Sequence, residues 1–212
     1  MVFIHCLKLT FSAGVTGLSV AQILSKNGYH VTIVAREMPR HRSLDYTSPW
    51  AGAIYRPWPA IDDQSKYEAD LARTSYAAFK EIALDSSSGV RFVDGFDYFE
   101  NPSEPYKTLA GGYSDIDDFT VLDESLLPPG VSFGTKYKTW CLNPPVYLQW
   151  LERNLVLKGV RCVRRRLNSA VEVFPLFNLE PTAIIVNCSG MGFCDPAVFP
   201  TRGKPICICQ CI

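Results

Sequence analysis

The spacing of apolar residues at the start of the chain predicts a strand, a helix and a second strand. Residues 2–11 favour a strand, although they are more polar than a central parallel strand usually is. The small and apolar residues from Gly14 to Leu24 suit a helix packed closely on a sheet, and Asn27–Gly28 is a typical helix stop. Tyr29–Ala35 is apolar enough for a second strand, so the chain opens with a βαβ unit.

The middle of the chain follows a different pattern. Residues 38–60 are broken by proline and glycine and predict a long structured loop, which in compact domains is usually functional. Helical spacing predicts a helix over Ser65–Leu84. Residues 90–100 alternate like a half-buried antiparallel strand, and 130–142 return to strand character after a turn-rich stretch.

The last part of the chain returns to helix and strand. Pro144 opens a predicted helix that Gly159 ends. Residues 160–164 follow as a strand, and 181–192 form the most buried-looking strand of the chain. This order predicts an α/β fold, in which a Rossmann-like dinucleotide-binding domain is interrupted by a separate antiparallel sheet. One face of the helix carries apolar residues at a spacing of four: Tyr147, Leu151 and Leu155.

Composition and charge narrow the class of partner. Lys plus Arg and Asp plus Glu both number 21 among 212 residues, so no net field attracts nucleic acid or an anionic membrane surface. No apolar run is long enough to span a bilayer. With 47% apolar residues the chain can bury a sizeable core, and a small-molecule partner is favoured over nucleic acid or membrane.

The eight cysteines do not suggest a disulfide framework. Five lie apart in apolar segments and are expected to be reduced core residues. The other three, Cys207, Cys209 and Cys211, have thiolates that can reach one metal ion, but no histidine or second cysteine pair completes a tetrahedral set. A frayed tail is therefore favoured over a zinc site.

The turn after the first predicted strand resembles a dinucleotide loop. Its three glycine positions hold Ser12, Gly14 and Gly17, and residues Ala13, Gly14, Val15, Thr16 and Gly17 are candidates for anion binding. If the first position requires a positive φ, serine costs on the order of 1 kcal/mol relative to glycine. On this reading the serine weakens the turn and leaves the anion site intact. The alternative is a glycine-rich helix that serves packing alone.

The ends of two other strands supply further candidates. Ala35, Arg36 and Glu37 end the second strand, where a side chain reaches the adenosine ribose in dinucleotide folds. A solvated charge pair is the alternative for Arg36 and Glu37. Ser189 and Gly190 follow the last predicted strand and are candidates for close cofactor contact.

Four segments together resemble the FAD-dependent D-amino-acid oxidase and D-aspartate oxidase family, particularly its fungal members. They read GVTGLSVAQILSKNGYHVTIVARE, SPWAGAIYRPW, YLQWLERNLVLKGV and VNCSGMG, and the resemblance runs from Gly14 to Gly203. It implies an FAD-binding part at 1–60 and 145–203, with part of a substrate domain inserted at 61–144.

The resemblance also implies individual roles. Ala51, Gly52 and Ala53 would run beside the flavin, and Tyr55, Arg56 and Trp58 would border the substrate pocket. Ser43 would meet the cofactor phosphates and Leu167 the adenine. If the family resemblance is set aside, SPWAGA is a tight turn with a buried Trp50, and Arg56 is a solvated arginine. The isolated His30 and His41 receive no catalytic role.

The family reaction oxidises a D-amino acid with molecular oxygen, giving a 2-oxo acid, ammonia and hydrogen peroxide. Its substrate-carboxylate clamp lies in a C-terminal half that this sequence lacks, so we expect impaired activity and assign no catalytic residue. A non-catalytic fragment that associates with another chain or with its own copies is the alternative. An NAD-dependent reductase is disfavoured, because SPWAGAIYRPW would then have no role. The resemblance implies a cytoplasmic or peroxisomal location.

Overall fold

The computed structural model describes residues 8–180, 183–190 and 193. These residues form two compact units. The first contains the described residues up to Gly52 and from Pro144 onward, and the second is Ala53–Asn143. From the sequence, the boundaries were expected after residues 60 and 144, so the structural unit begins earlier, at Ala53.

The first unit begins with a strand, a helix and a strand, and its other helices and strands follow later in the chain. In chain order, the strands and α-helices of the described residues are β1 (Lys8–Phe11), α1 (Val15–Lys26), β2 (Val31–Ala35), α2 (Asp63–Ala83), β3 (Val90–Phe99), α3 (Glu104–Lys107), β4 (Thr120–Val121), β5 (Phe133–Leu142), α4 (Pro144–Leu157), β6 (Arg161–Arg164), α5 (Val173–Phe177) and β7 (Ile184–Asn187).

A four-stranded parallel sheet in the order β6-β2-β1-β7 is the centre of the first unit. All five residues of β2 are buried, as expected of a parallel strand covered on both faces. The polar character of β1 does not keep it from the interior, since it pairs with β2 on one side and β7 on the other. Thr10 of β1 is fully buried, and its hydroxyl has no hydrogen-bond partner among the described residues.

The expectation that the last strand is the most buried one is wrong. β7 has exposed residues at both ends, and Ile184 is 47% exposed. The reason is position: β7 lies at the outer side of the described sheet and pairs with β1 alone among the described strands. An apolar run identifies a strand, but only the pairing order decides which strand is central.

The helices follow their sequence signals closely. α1 ends at Lys26 and is capped by Asn27, whose side chain donates to the Ile23 carbonyl, and Gly28 takes a left-handed φ of 79°. α4 buries Tyr147, Leu151 and Leu155 on one face, as the spacing predicts. α1 and α4 pack against each other in the first unit.

The second unit is an antiparallel sheet in the order β3-β5-β4 with α2 packed against it. β3 and β5 pair along their whole length, from Val90 opposite Leu142 to Phe99 opposite Phe133. α2 starts with a reciprocal capping box between Asp62 and Ser65. The short elements β4, α3 and α5 were not predicted, because two to five residues carry too little periodicity to be recognised.

Buried tyrosines make the folded protein sensitive to alkali. Burial raises the pKa of Tyr113 in the second unit and that of Tyr147 in the first to about 12, whereas an unfolded tyrosine has a pKa of about 10. Both phenols are protonated in either state below about pH 10, where their stabilising effect is complete. As pH rises from about 10 through 12, ionisation favours the unfolded chain and stability falls.

We therefore expect the free energy of unfolding to fall steeply above about pH 10, together with the appearance of tyrosinate absorbance. Urea titrations at a series of pH values measure this. Tyr147→Phe has no ionisable phenol at that position and should lose less stability over the same interval. A wild-type protein whose stability is flat across this range would contradict the assignment.

Candidate cofactor-binding site

The carboxyl ends of the parallel strands come together at one edge of the sheet. Phe11 of β1 lies opposite Val34 of β2 and Asn187 of β7. Ligands of open α/β sheets bind at this edge, where the strand order reverses. A cavity of about 980 Å³ lies there. It is lined by Phe11, Ser12, Gly14, Val15, Thr16, Val34, Ala35, Arg36, Glu37, Leu44, Asp45, Tyr46, Thr47, Ser48, Arg165, Arg166, Leu167, Asn168, Cys188, Ser189, Gly190 and Phe193.

Nine of the predicted cofactor residues line this cavity, and six do not. The described lining leaves out Ala13, Gly17, Ser43, Ala51, Gly52 and Ala53. The nine that line it come from the turn after β1, the end of β2, the segment after β6 and the end of β7. They are Gly14, Val15, Thr16, Ala35, Arg36, Glu37, Leu167, Ser189 and Gly190.

Ser12 holds the first position of the turn in a left-handed backbone conformation, with φ of 118°. This is a region that L-residues other than glycine rarely adopt. Its hydroxyl oxygen accepts the Gly14 N–H at 2.9 Å. The expectation that serine weakens only the turn is therefore incomplete, because the same side chain also engages a backbone donor of the predicted anion site.

Gly17 fixes how closely α1 approaches β1. A Cβ added to Gly17 would lie 2.0 Å from the backbone carbonyl oxygen of Ser12. No side chain fits in that space, so the third glycine serves close packing between helix and strand. The sequence pattern predicts that Gly17 binds the cofactor, whereas in the structure Gly17 lies directly against the backbone of Ser12 in the turn.

Ser48 is a site residue that the sequence analysis did not single out. Its hydroxyl accepts the Val15 N–H at 3.0 Å, across 33 residues of sequence. A Cβ on Gly14 would come within 2.9 Å of the same oxygen. Ser43, the serine expected near the phosphates, instead accepts the N–H of Asp45 within its own turn. The Ser-Pro pair at 48–49, which begins a short 3₁₀ helix at Ser48–Trp50, was the available signal.

Tyr46 stabilises the turn after β1 through a hydrogen bond. It is buried, and its hydroxyl donates to the Ala13 carbonyl. Burial raises the pKa of this phenol, and the charges of Glu152 and Glu37 raise it further. The phenol therefore stays protonated and able to donate at neutral pH.

Glu37 lies at the end of β2 with both carboxylate oxygens engaged. Arg36 Nε is 3.3 Å from one oxygen, and His41 Nδ1 is 2.7 Å from the other. Arg36 also pairs with Asp45. His41, which received no catalytic role, thus holds the carboxylate that faces the cavity.

Two arginine residues that follow β6 line the cavity near the end of β2. Arg165 and Arg166 line it beside Leu167. The Arg165 N–H donates to the Ala35 carbonyl at 2.8 Å, which continues the β2–β6 pairing beyond β6. Leu167 packs against the small apolar cluster of Phe11, Val34 and Val173.

On the opposite side, the backbone after β7 turns towards β1. The Cys188 N–H donates to the Phe11 carbonyl at 3.1 Å. The Ser189 hydroxyl donates to the Asn187 side chain at 2.6 Å. Ser189 and Gly190 are thereby held beside the turn at the mouth of the cavity.

Comparison with known proteins supports a specific assignment. Residues 13–211 match the DAO family, described as FAD dependent oxidoreductase. The chain belongs to this family. It is 34% identical to a D-aspartate oxidase of Talaromyces thermophilus over 87% of its length, and 31% identical to a D-amino-acid oxidase of Schizosaccharomyces pombe over 92%. These alignments span 56% and 57% of the two relatives, so the chain covers little more than half of their length.

Solved structures agree with this fold at low sequence identity. L-proline dehydrogenase from P. horikoshii aligns with a TM-score of 0.56, at 11% identity, over 74% of this chain and 43% of its own. L-amino acid deaminase from Proteus vulgaris aligns with a TM-score of 0.54, at 13% identity, over 75% of this chain and 39% of its own.

The family's cofactor is FAD, and the described residues fit a dinucleotide. The cavity follows the carboxyl ends of β1 and β2. Such a cofactor requires three features that are present here. They are a turn that leaves no room for a Cβ at Gly17, a helix N-terminus and a carboxylate at the end of β2.

The boundary between the two units falls within the segment that the family resemblance places beside the flavin. Ala51 and Gly52 end one stretch of the first unit, and Ala53 begins the second. A Cβ on Gly52 would meet no atom within 4 Å. Trp50 is 45% exposed and its indole N–H donates to the Ser43 carbonyl, so the alternative of a buried tryptophan is wrong.

The three residues predicted to border the substrate lie in the second unit. The Tyr55 ring stacks on Trp140 and lies edge-on to Trp58. Arg56 forms an ion pair with Asp97, with NH2 2.6 Å and Nε 2.9 Å from the same carboxylate oxygen. The solvated-arginine interpretation is therefore incomplete: Arg56 is 61% exposed, and it is also the cationic partner of a carboxylate that is 3% exposed.

Two features are absent from the part of the chain that the structure describes. Among the described residues, no cluster of His, Cys, Asp and Glu has an arrangement that can hold a metal ion. Cys207, Cys209 and Cys211 lie outside the described residues. None of the helices in the described ranges is both long and apolar enough to cross a membrane.

Proposed function

We propose that this chain binds FAD in the cavity at the carboxyl ends of β1 and β2 and takes part in the oxidation of D-amino acids. Family membership supports this proposal, and so do the names of the two relatives, a D-aspartate oxidase and a D-amino-acid oxidase. The observation that carries it is the convergence of Gly14, Glu37 and Leu167 on one cavity, because they come from three separate strand ends.

The contacts available to FAD are distributed along the cavity. The N–H groups at the start of α1 would meet the pyrophosphate, because a helix N-terminus stabilises negative charge. Glu37, oriented by Arg36 and His41, would accept from the adenosine ribose. Leu167 would lie near the adenine.

The proposed substrate is a D-amino acid, with molecular oxygen as the final electron acceptor. FAD, when bound, supplies the acceptor for a hydride from the substrate α-carbon. The amino group gives up a proton, and water converts the imino acid to a 2-oxo acid and ammonia. Oxygen takes up the two electrons and two protons as hydrogen peroxide. The residues of this chain bind and orient the cofactor for that chemistry.

A flavin absorption spectrum tests the proposal. The purified 212-residue chain is mixed with FAD, separated from unbound cofactor and scanned. We expect retained flavin absorbance that bleaches, slowly because the activity is impaired, when D-aspartate or D-alanine is added without oxygen, while the L-enantiomers serve as matched controls. A folded protein that emerges colourless would overturn the proposed cofactor. A coloured protein that no D-amino acid reduces would leave FAD binding intact and favour the non-catalytic alternative.

A further inference from the structure

The turn after β1 has an acceptor of its own for one of its anion-binding donors. The Ser12 hydroxyl oxygen lies 2.9 Å from Gly14 N and accepts its hydrogen. A backbone N–H carries a single hydrogen. While this hydrogen is bonded to the Ser12 hydroxyl, a phosphate oxygen cannot form a full-strength hydrogen bond with it.

The neighbouring donor is held in a similar way. The Val15 N–H donates to the Ser48 hydroxyl at 3.0 Å. Both hydroxyl oxygens lie close to Gly14: those of Ser12 and Ser48 are 3.0 Å and 2.9 Å from the position a Cβ would take there. Two of the four N–H groups that a helix N-terminus leaves unpaired therefore have acceptors inside the chain.

Ser12 differs from Ser48 in how its hydrogen bond forms. Its hydroxyl closes a local turn over two residues, which serine does readily. Its φ of 118° costs conformational energy, and the hydrogen bond offsets part of that cost. A glycine at this position would adopt the same φ without strain and would leave the Gly14 N–H free.

We infer that the Ser12 hydroxyl competes with the cofactor pyrophosphate for the Gly14 N–H and so sets the affinity of this site for dinucleotides. The inference rests on the proposed function, since it concerns the same cavity. Binding must first break the bond to Ser12, and replacing the serine removes that requirement. The Gly14 N–H then donates to a charged oxygen, which is a stronger acceptor than a hydroxyl.

Two substitutions separate the hydrogen bond from the backbone strain. Ser12→Gly removes both, whereas Ser12→Ala keeps a Cβ at a positive φ and removes the hydroxyl alone. We expect both variants to bind FAD and ADP about fivefold to tenfold more tightly than the wild-type chain, the equivalent of one net hydrogen bond. Ser19→Ala, which removes a hydroxyl from α1 away from the cavity lining, should bind like wild type.

Isothermal titration of the full chain with FAD and with ADP measures these affinities. ADP probes the pyrophosphate end without the flavin. Hydrogen exchange of the Gly14 amide provides a readout that needs no ligand, and it should be slower in wild type than in Ser12→Ala.

The outcomes distinguish this inference from the proposed function. If wild type binds FAD and neither Ser12 variant binds more tightly, the inference is overturned and the cofactor stands. If Ser12→Gly alone gains affinity, strain and not the hydroxyl is responsible, and the inference is again overturned. If the variants gain affinity for ADP while FAD binds to no form, the inference holds and the proposed cofactor fails. If no form binds either nucleotide, both fail.

Discussion

Replacement of Gly17 by alanine is expected to have the largest effect of any single substitution at the turn after β1. The new Cβ would lie 2.0 Å from the Ser12 carbonyl oxygen, which is backbone and has no freedom to rotate away. Either α1 must move off the sheet or the turn must change its shape. We expect a loss of about 3 kcal/mol in the free energy of unfolding and loss of detectable FAD binding, because both Gly14 and Val15 depend on that turn.

Urea unfolding followed by circular dichroism measures the stability, and flavin retention measures the binding. Gly52→Ala is the matched control for stability, because a Cβ at Gly52 meets no atom within 4 Å. That variant should unfold at the wild-type urea concentration. A Gly17→Ala protein as stable as Gly52→Ala would show that α1 does not pack on the turn as described.

Replacement of Arg56 by alanine is expected to produce the second largest effect, through stability and not through the substrate. Asp97 is 3% exposed, and it would lose its only cationic partner among the described residues while remaining in the interior. The hydroxyls of Tyr137 and Tyr113, 3.1 Å and 3.4 Å from its other oxygen, would still hydrogen-bond to it. Because Arg56 itself is 61% exposed and screened by water, we expect a cost of about 2–3 kcal/mol.

A double-mutant cycle tests this explanation. Asp97→Asn removes the buried charge, so Arg56→Ala should cost much less in that background. Arg73→Ala is the control for an exposed pair: Arg73 and Asp70 are 2.7 Å apart, but both side chains are largely exposed, and no measurable change is expected. Equal costs of Arg56→Ala in the two backgrounds would refute a role as counterion and return Arg56 to the candidates for substrate binding.

The Arg56 pair illustrates a kind of contact that local pattern does not reveal. Its two members are 41 residues apart, and nothing in AGAIYRPW distinguishes a partner of a buried carboxylate from a solvated arginine. The alternation of β3 does place Asp97 on the same face as Val93 and Gly95, yet a charged residue at such a position is normally read as exposed. Pairing between β3 and β5 places Tyr137 near Asp97 and makes burial of the carboxylate tolerable.

The cavity shows a similar division between local and distant contacts. Gly14, Arg36 and Glu37 were identified because each follows a strand, and the ends of parallel strands meet. Leu167 was identified through the family resemblance. Ser48 and His41 were not, because their roles depend on the path of the 38–60 loop. That loop has no periodic pattern from which its path can be inferred.

The sequence by itself determined the βαβ opening, the helices with capping residues and apolar faces, the α/β class and the family. These depend on neighbours within a few residues, or on motifs whose spacing is preserved in one dimension. The tertiary structure alone decided that β7 lies at the outer side of the described sheet, that Arg56 neutralises Asp97, and that hydroxyls of Ser12 and Ser48 hold the donors of the dinucleotide turn. The physical reason is that pairing order and hydrogen-bond partners depend on distances in space, and residues far apart in sequence are brought together only when the chain folds.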